Sequence, residues 1–193
     1  MRVAIAEDSV LLREGVAQLL TDAGIEVTAR CGTADELLVR VAEDPPDAVI
    51  VDIRLPPTHT DEGMQAALTM RREYPDVGVL VLSQYVEVGL AMRLLADSAE
   101  GVGYLLKDRV SEVKDFIAAL RRVADGGSAL DPTIVSTMLK RHRSSDPLDS
   151  LTPREREVLE LMATGASNAG IAESMVITQR AAEKYVSTIF TKL

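Results

Sequence analysis

Residues 48–52 read Ala-Val-Ile-Val-Asp, four apolar positions with no polar alternation, closed by a carboxylate. A strand with one solvated face alternates in polarity. A run of this kind fits a strand buried on both faces, as in a parallel sheet covered by helices. The same shape recurs outward in both directions. Residues 2–6 (RVAIA) lead into Glu7 and Asp8, residues 78–82 (GVLVL) into Ser83, and residues 102–106 (VGYLL) into Lys107. Another β-rich run covers 25–30. Helical periodicity falls between and after these runs, near 10–22, 34–43, 62–74, 87–97 and 111–125, and Thr33 with Glu36 reads as a capping box for the second helix. The alternation predicts an α/β unit over residues 1–125: a doubly wound (βα)5 parallel sheet with right-handed crossovers.

In such a sheet the carboxyl ends of the strands converge on one rim, where ligands bind. Glu7, Asp8, Asp52, Ser83 and Lys107 all fall there. An Asp at a strand end is commonly a helix cap, and a Lys there a surface charge, but their joint placement suits a Mg²⁺ ion and a phosphoryl group. Asp52 supplies a carboxylate nucleophile. Glu7 and Asp8 supply hard oxygen ligands of the kind Mg²⁺ takes one or two at a time. Lys107 acts as a point charge toward the phosphoryl group. Ser83 can donate to a phosphoryl oxygen, and drawing its hydroxyl inward would shift the loop after the fourth strand and the ring of Tyr104. The pattern is that of a phosphorylated aspartate switch.

Bulk properties narrow the setting. The chain has 193 residues, 47% hydrophobic and 26% charged, which is globular composition. No apolar run approaches the roughly 18–20 residues needed to span a bilayer. The first strand begins at Arg2 with no apolar leader, so the expected location is cytoplasmic, without membrane contact. The single cysteine, Cys31, cannot form an internal disulfide and is expected as a buried neutral thiol. Net charge is −9. Residues 1–125 hold 13 Lys and Arg against 22 Asp and Glu, whereas residues 151–193 hold five of each. Nucleic acid would repel the first part, so any contact with it falls to the last.

Gly126-Gly127 ends the alternation. Residues 126–150 read as a linker with one helix from Asp131 to about His142, Pro132 in its first turn, followed by the Ser/Asp/Pro-rich stretch 141–150. A second unit, 151–193, opens with Thr152-Pro153-Arg154-Glu155, a capping box with Pro at the first helical position. That helix runs to Ala163 and stops at Gly165. Ser167 caps a short second helix ending near Met175, and Thr178 caps a third. Three helices in this length form a small all-α helix-turn-helix domain. On the last helix Ala182, Val186, Ile189, Phe190 and Leu193 make the packed face. Arg180, Glu183, Lys184, Ser187, Thr188 and Thr191 lie opposite. As a recognition helix it would set Lys184 toward guanine, Glu183 toward cytosine and Ser187 permissively. Thr178, Arg180, Tyr185 and Lys192 are candidates for phosphate contacts.

The motifs AEDS (6–9), VDIRLPP (51–57), LS (82–83) and GYLLKD (103–108) resemble the receiver domains of two-component response regulators. LTPREREVLELMATGASNAGIA (151–172) and EKYVSTIFTKL (183–193) resemble the C-terminal helix-turn-helix of the NarL/FixJ, LuxR-type, subfamily. The resemblance spans nearly the whole chain and implies a CheY-like receiver followed by a DNA-binding domain. Asp52 would be the phosphoacceptor, with Glu7, Asp8, Asp52 and the backbone carbonyl of Arg54 around Mg²⁺. Ser83 and Lys107 would contact phosphate, and Tyr104 would be the aromatic switch. A sensor histidine kinase would donate the phosphoryl group, and double-stranded DNA and a second copy of the chain would be partners. The function implied is transcriptional regulation, not enzymatic turnover.

Four features depart from the family pattern. Gly170 stands where an acidic residue usually completes the cap begun by Ser167. Ala182 replaces a common Val. The loop from Thr58 through Asp61 and Glu62 to Gly63 is longer than in many receivers, and reads as a solvent loop with His59 solvated, or else as a lid beside the metal site. The sequence ends at Leu193, where family members continue into a fourth helix, so the expectation is a domain lacking that helix. The second unit is also neutral, so one copy should bind DNA weakly and pairing of protomers should matter. Two competing functions remain at this level: an interaction module whose helix-turn-helix does not bind DNA, and a flavodoxin-like phosphotransferase. The second lacks a glycine-rich phosphate loop and a second general acid.

Overall fold

The computed structural model describes residues 1–96, 98–144, 151–164 and 166–192, with side chains throughout except those of 139–144 and 190–192. The chain divides into two compact units, Met1–Ser136 and Thr137–Leu193.

In the first unit, strands β1 (Arg2–Ala6), β2 (Glu26–Cys31), β3 (Ala48–Asp52), β4 (Gly78–Ser83) and β5 (Val102–Leu106) alternate with helices α1 (Val10–Asp22), α2 (Ala34–Glu43), α3 (Glu62–Glu73), α4 (Val88–Leu95) and α5 (Val113–Ala124). The strands pair in parallel in the order β2-β1-β3-β4-β5. Every residue of β3 and β4 is buried, as their unbroken apolar runs predict. Val3, Ile5, Ile50, Leu80 and Leu82 pack on one face with Val16 and Leu20 of α1 and Phe116, Leu120 and Val123 of α5. Alternation sends Ala4, Val49, Val51, Val79 and Val81 to the other face, which α2, α3 and α4 cover. Fully burying one such aliphatic or aromatic side chain contributes about 1.5–3 kcal/mol.

The chain does not leave the sheet at Gly126. Gly126 turns at φ 83°, and its carbonyl accepts from Gly101 N (2.9 Å). Ser128–Leu130 then forms β6, parallel to β5. The linker reading of 126–150 is corrected here. Three residues with one buried side chain carry no readable strand pattern, and backbone pairing with β5 makes the strand. Being parallel, β6 delivers the chain to the carboxyl rim, where α6 (Pro132–Ser144) begins. Residues 145–150 of the expected linker lie outside the described residues.

The Thr33–Glu36 cap is also half of what the sequence suggests. Thr33 Oγ1 accepts from Glu36 N at 3.2 Å, but Glu36 Oε2 accepts from Gly32 N (2.8 Å). Cys31 is a buried free thiol, as expected.

The second unit contains α7 (Pro153–Ala163), α8 (Asn168–Met175) and α9 (Gln179–Lys192). Thr152 and Glu155 form the reciprocal capping box: Glu155 N donates to Thr152 Oγ1 (3.3 Å) and Thr152 N to Glu155 Oε2 (2.7 Å). Ser167 caps α8 through Gly170 N (3.2 Å), and Thr178 Oγ1 accepts from Ala181 N (3.2 Å). Leu151, Val158, Ile171, Ala172, Met175, Ala182 and Ile189 form the core. Gly165, Leu193 and the Phe190 side chain lie outside the described residues.

Candidate functional site

Glu7 follows β1, Asp52 ends β3, Ser83 ends β4 and Lys107 follows β5, so neighbouring parallel strands bring these side chains to one rim. Lys107 Nζ donates to Asp52 Oδ2 at 2.9 Å and stands 2.8 Å from Glu7 Oε2. Carboxylate oxygens of Glu7, Asp8 and Asp52 lie within 4.8 Å of one another. Glu7 and Asp52 are buried, and Asp8 is partly exposed. Ser9 N donates to Glu7 Oε1 (3.1 Å) and Arg13 Nη1 donates to the Glu7 carbonyl (2.7 Å), which fixes that residue at both ends.

Burial pushes the Glu7 carboxyl up, opposed by Lys107 and reinforced by the Asp52 charge. For Lys107, burial favours the neutral amine, but the Glu7 and Asp52 carboxylates outweigh it and the net shift is upward. The ammonium therefore stays charged, while the more deeply buried Glu7 bears the cost of the shared site. Glu7 Oε2 is buried and pairs with the Lys107 ammonium. Three carboxylates converging on one rim are a hard-oxygen donor set that fits a divalent cation. Glu7, Asp8 and Asp52 would hold it. Arg54 lies two residues past Asp52; its side chain turns outward to Glu87 (3.1 Å) and over the Tyr85 ring (5.6 Å).

The Ser83 hydroxyl donates to Tyr85 O (2.7 Å) and accepts from Tyr85 N (3.2 Å), so it closes the turn after β4. Tyr104 is fully buried, with its hydroxyl near Ser83 and the Glu87 backbone. Burial raises its pKa, opposed by the nearby Ser83 hydroxyl, which also bonds Tyr85.

The loop after β3 is more ordered than a solvent loop. Glu62 gathers it by accepting from Thr58 N and Thr60 N (both 3.0 Å) and from the Thr58 hydroxyl. The Thr58 contact and these amides lower the Glu62 carboxyl to about 2. His59, at φ 55°, brings Nδ1 within 3.4 Å of Asp8 Oδ2. The sequence reading of His59 as solvated holds only for its exposure, since it also neighbours Asp8. Gly63 closes the loop: a Cβ there would stand 1.7 Å from the Asp52 carbonyl oxygen. Sequence reasoning missed Gly63, Arg13 and the pairing of the partly exposed Arg109 with the buried Asp131. The readable hint of that pair was Asp before Pro132, a capping residue ahead of a proline at the first helical position.

On α9, Arg180, Glu183, Lys184 and Ser187 are exposed and Ala182 and Ile189 buried, which is the division the periodicity predicts. Glu183 accepts from Gln179 Nε2 (3.3 Å). Tyr185, a candidate for a phosphate contact, is half-buried and packs on the core. The Lys192 side chain lies outside the described residues.

Residues 3–121 match the response regulator receiver domain family, and residues 149–193 match the luxR family of bacterial regulatory proteins. The chain is a response regulator. It has a receiver and a LuxR-type DNA-binding domain. Over its full length the regulator is 32% identical to the transcriptional regulatory protein DegU of Brevibacillus brevis, covering 87% of that protein. It is 28% identical to the DNA-binding transcriptional activator DevR/DosR of Mycobacterium tuberculosis, covering 88%. Its fold is similar to that of the Salmonella typhimurium response regulator RcsB, with a TM-score of 0.66 at 22% identity, covering all of this chain and 91% of that one. No helix of the regulator, among the described residues, is long and apolar enough to cross a membrane.

Proposed function

We propose that Asp52 accepts a phosphoryl group from the phosphohistidine of a sensor kinase, and that the acyl phosphate controls protomer pairing and promoter binding through α9. The observation that carries this reading is the placement of Lys107 between the Glu7 and Asp52 carboxylates on one strand rim. A carboxylate oxygen of Asp52 forms the new P–O bond as the P–N bond to the imidazole breaks, and the electron pair leaves with the imidazole nitrogen. Mg²⁺, when bound, would neutralise phosphoryl oxygens and orient the group. Lys107 offers a fixed positive charge to the phosphoryl group, and Ser83 a hydroxyl once released from Tyr85. Lys184, Glu183, Ser187 and Arg180 on the exposed side of α9 supply base-edge and phosphate contacts, joined by Thr178 at its cap.

The functional division we adopt is a receiver that runs to Asp131 rather than to residue 125, then α6 and the linker, then the DNA-binding unit from Leu151. The balanced charge of residues 151–193 also supports a second reading, a protein-interaction module. The test is intact mass, oligomeric state and operator affinity, with and without a small phosphodonor and Mg²⁺. A metal-dependent phosphoryl adduct and tighter DNA binding, both lost in Asp52→Asn, support the proposal. An adduct with no DNA binding at low salt favours the interaction module. No adduct overturns the phosphoacceptor role.

A further inference from the structure

Lys107 opens a 3-10 turn, Lys107–Ser111, that also carries Arg109. Arg109 Nε donates to Asp131 Oδ2 at 2.9 Å, and its Nη1 donates to Glu112 Oε1, also at 2.9 Å. Asp131 has 0% exposure. A buried carboxylate stays ionised only when paired and hydrogen-bonded, and Asp131 is both. Its Oδ1 accepts from Thr133 N (2.8 Å), its own N–H donates to the Tyr104 carbonyl (2.8 Å), and its carbonyl accepts from Val135 N (3.1 Å). Three elements therefore meet on one residue: β5 through Tyr104, the turn after Lys107 through Arg109, and the first turn of α6.

A helix cap needs neither complete burial nor a guanidinium. An Asn, Ser or exposed Asp would cap α6 equally well. The burial and the charge point to a further task. We propose that the Arg109–Asp131 pair is the link that carries the state of the phosphoacceptor rim into α6, the helix leading toward the DNA-binding unit. This rests on the reading of Asp52 as phosphoacceptor. When Lys107 shifts toward a phosphoryl group, the turn that bears Arg109 shifts with it. Asp131 follows, because leaving its carboxylate buried and unpaired is the costlier outcome. Tyr104, the expected aromatic switch, pulls on the same residue through its carbonyl. The coupling is reciprocal: whatever fixes the first turn of α6 also alters the affinity of the rim for its ligands.

The experiment uses the full chain as wild type, Arg109→Gln, Asp131→Asn and Arg109→Lys, each with and without a small phosphodonor plus Mg²⁺. Intact mass reads phosphoryl uptake, and amide hydrogen exchange reads Thr133 and Val135. Arg109 and Asp131 touch neither carboxylates nor ammonium of the rim, so both neutral variants still take up the phosphoryl group at Asp52, and the reciprocal coupling shows only as a change in the extent of uptake. In the wild type, phosphorylation changes exchange at the two amides by roughly fivefold or more. In Arg109→Gln and Asp131→Asn that change is lost, and Arg109→Lys, which keeps the charge, restores part of it. Phosphorylated wild type with no change at these amides, or neutral variants with the wild-type change, overturns the link and leaves the phosphoacceptor reading intact. Wild type that takes up no phosphoryl group overturns both. If a neutral variant does not fold, the wild-type and Arg109→Lys arms still decide.

Discussion

Gly63 and Asp52 approach so closely that a Cβ on the glycine would stand 1.7 Å from the aspartate's carbonyl oxygen. Gly63 N donates to Ile53 O at 2.9 Å, so the first turn of α3 is seated directly on the end of β3. The obstacle is backbone, which no rotamer change relieves. Gly63→Ala should lower unfolding free energy by at least about 2 kcal/mol and slow phosphoryl uptake at Asp52. Denaturant unfolding and intact mass check the two effects. An alanine variant as stable as the wild type would show that α3 can move away freely.

Asp131 gives the pH dependence. Burial alone would raise its carboxyl, but Arg109 and the Thr133 amide outweigh burial and hold it below the ordinary 3.8. A depressed folded pKa means stability that is fully present above the unfolded value and lost as pH falls through the folded one. The wild-type advantage over Asp131→Asn should therefore be large at about pH 6 and shrink by about pH 3. Denaturation midpoints at the two pH values measure it; an advantage that grows with acid would contradict the pairing.

Cys31 should serve as a native thiol probe. Burial, followed by the Glu36 charge, pushes it up to about 11. The thiolate is the reactive form, so alkylation near neutral pH should be slower in the native chain than in the denatured one by about two orders of magnitude. Comparable rates would mean that the end of β2 opens readily.

Val176 ends α8 in the left-handed region at φ 54°, with 91% of its surface exposed. Helices commonly end on a glycine in this conformation, and a β-branched residue there costs about 1–2 kcal/mol. Since the side chain buries almost nothing, Val176→Gly should stabilise the second unit by about 1 kcal/mol. Thermal unfolding checks it. A loss of stability would mean that the valine makes contacts its exposure does not show.

Much of the receiver was legible because β1, β3, β4 and β5 are largely buried on both faces, so they appear as apolar runs with a polar residue at or just past their ends, whereas the edge strand β2 does not. Glu7, Asp8, Asp52, Ser83 and Lys107 could be placed on one rim for that reason. What the sequence hid depends on pairing between distant segments. Ser128–Leu130 is a strand only because β5 offers backbone partners, and Arg109 and Asp131 find each other 22 residues apart. Tyr185 could be named as a contact candidate, but its packing depends on the other helices of the unit, which a local reading does not show. The exposed and buried sides of α9 were otherwise readable from Ala182, Ile189, Arg180 and Lys184.

The short sixth strand decides where a foreign output segment can be grafted. A fusion joined just after α5 would emerge at the amino-terminal edge of the sheet, a full strand length from Lys107. A fusion joined after Asp131 would start beside Arg109, in the turn that Lys107 opens, with its first turn already capped. Hybrid sensors assembled from this module should keep residues 126–131 with the input half, and exchange only what comes later.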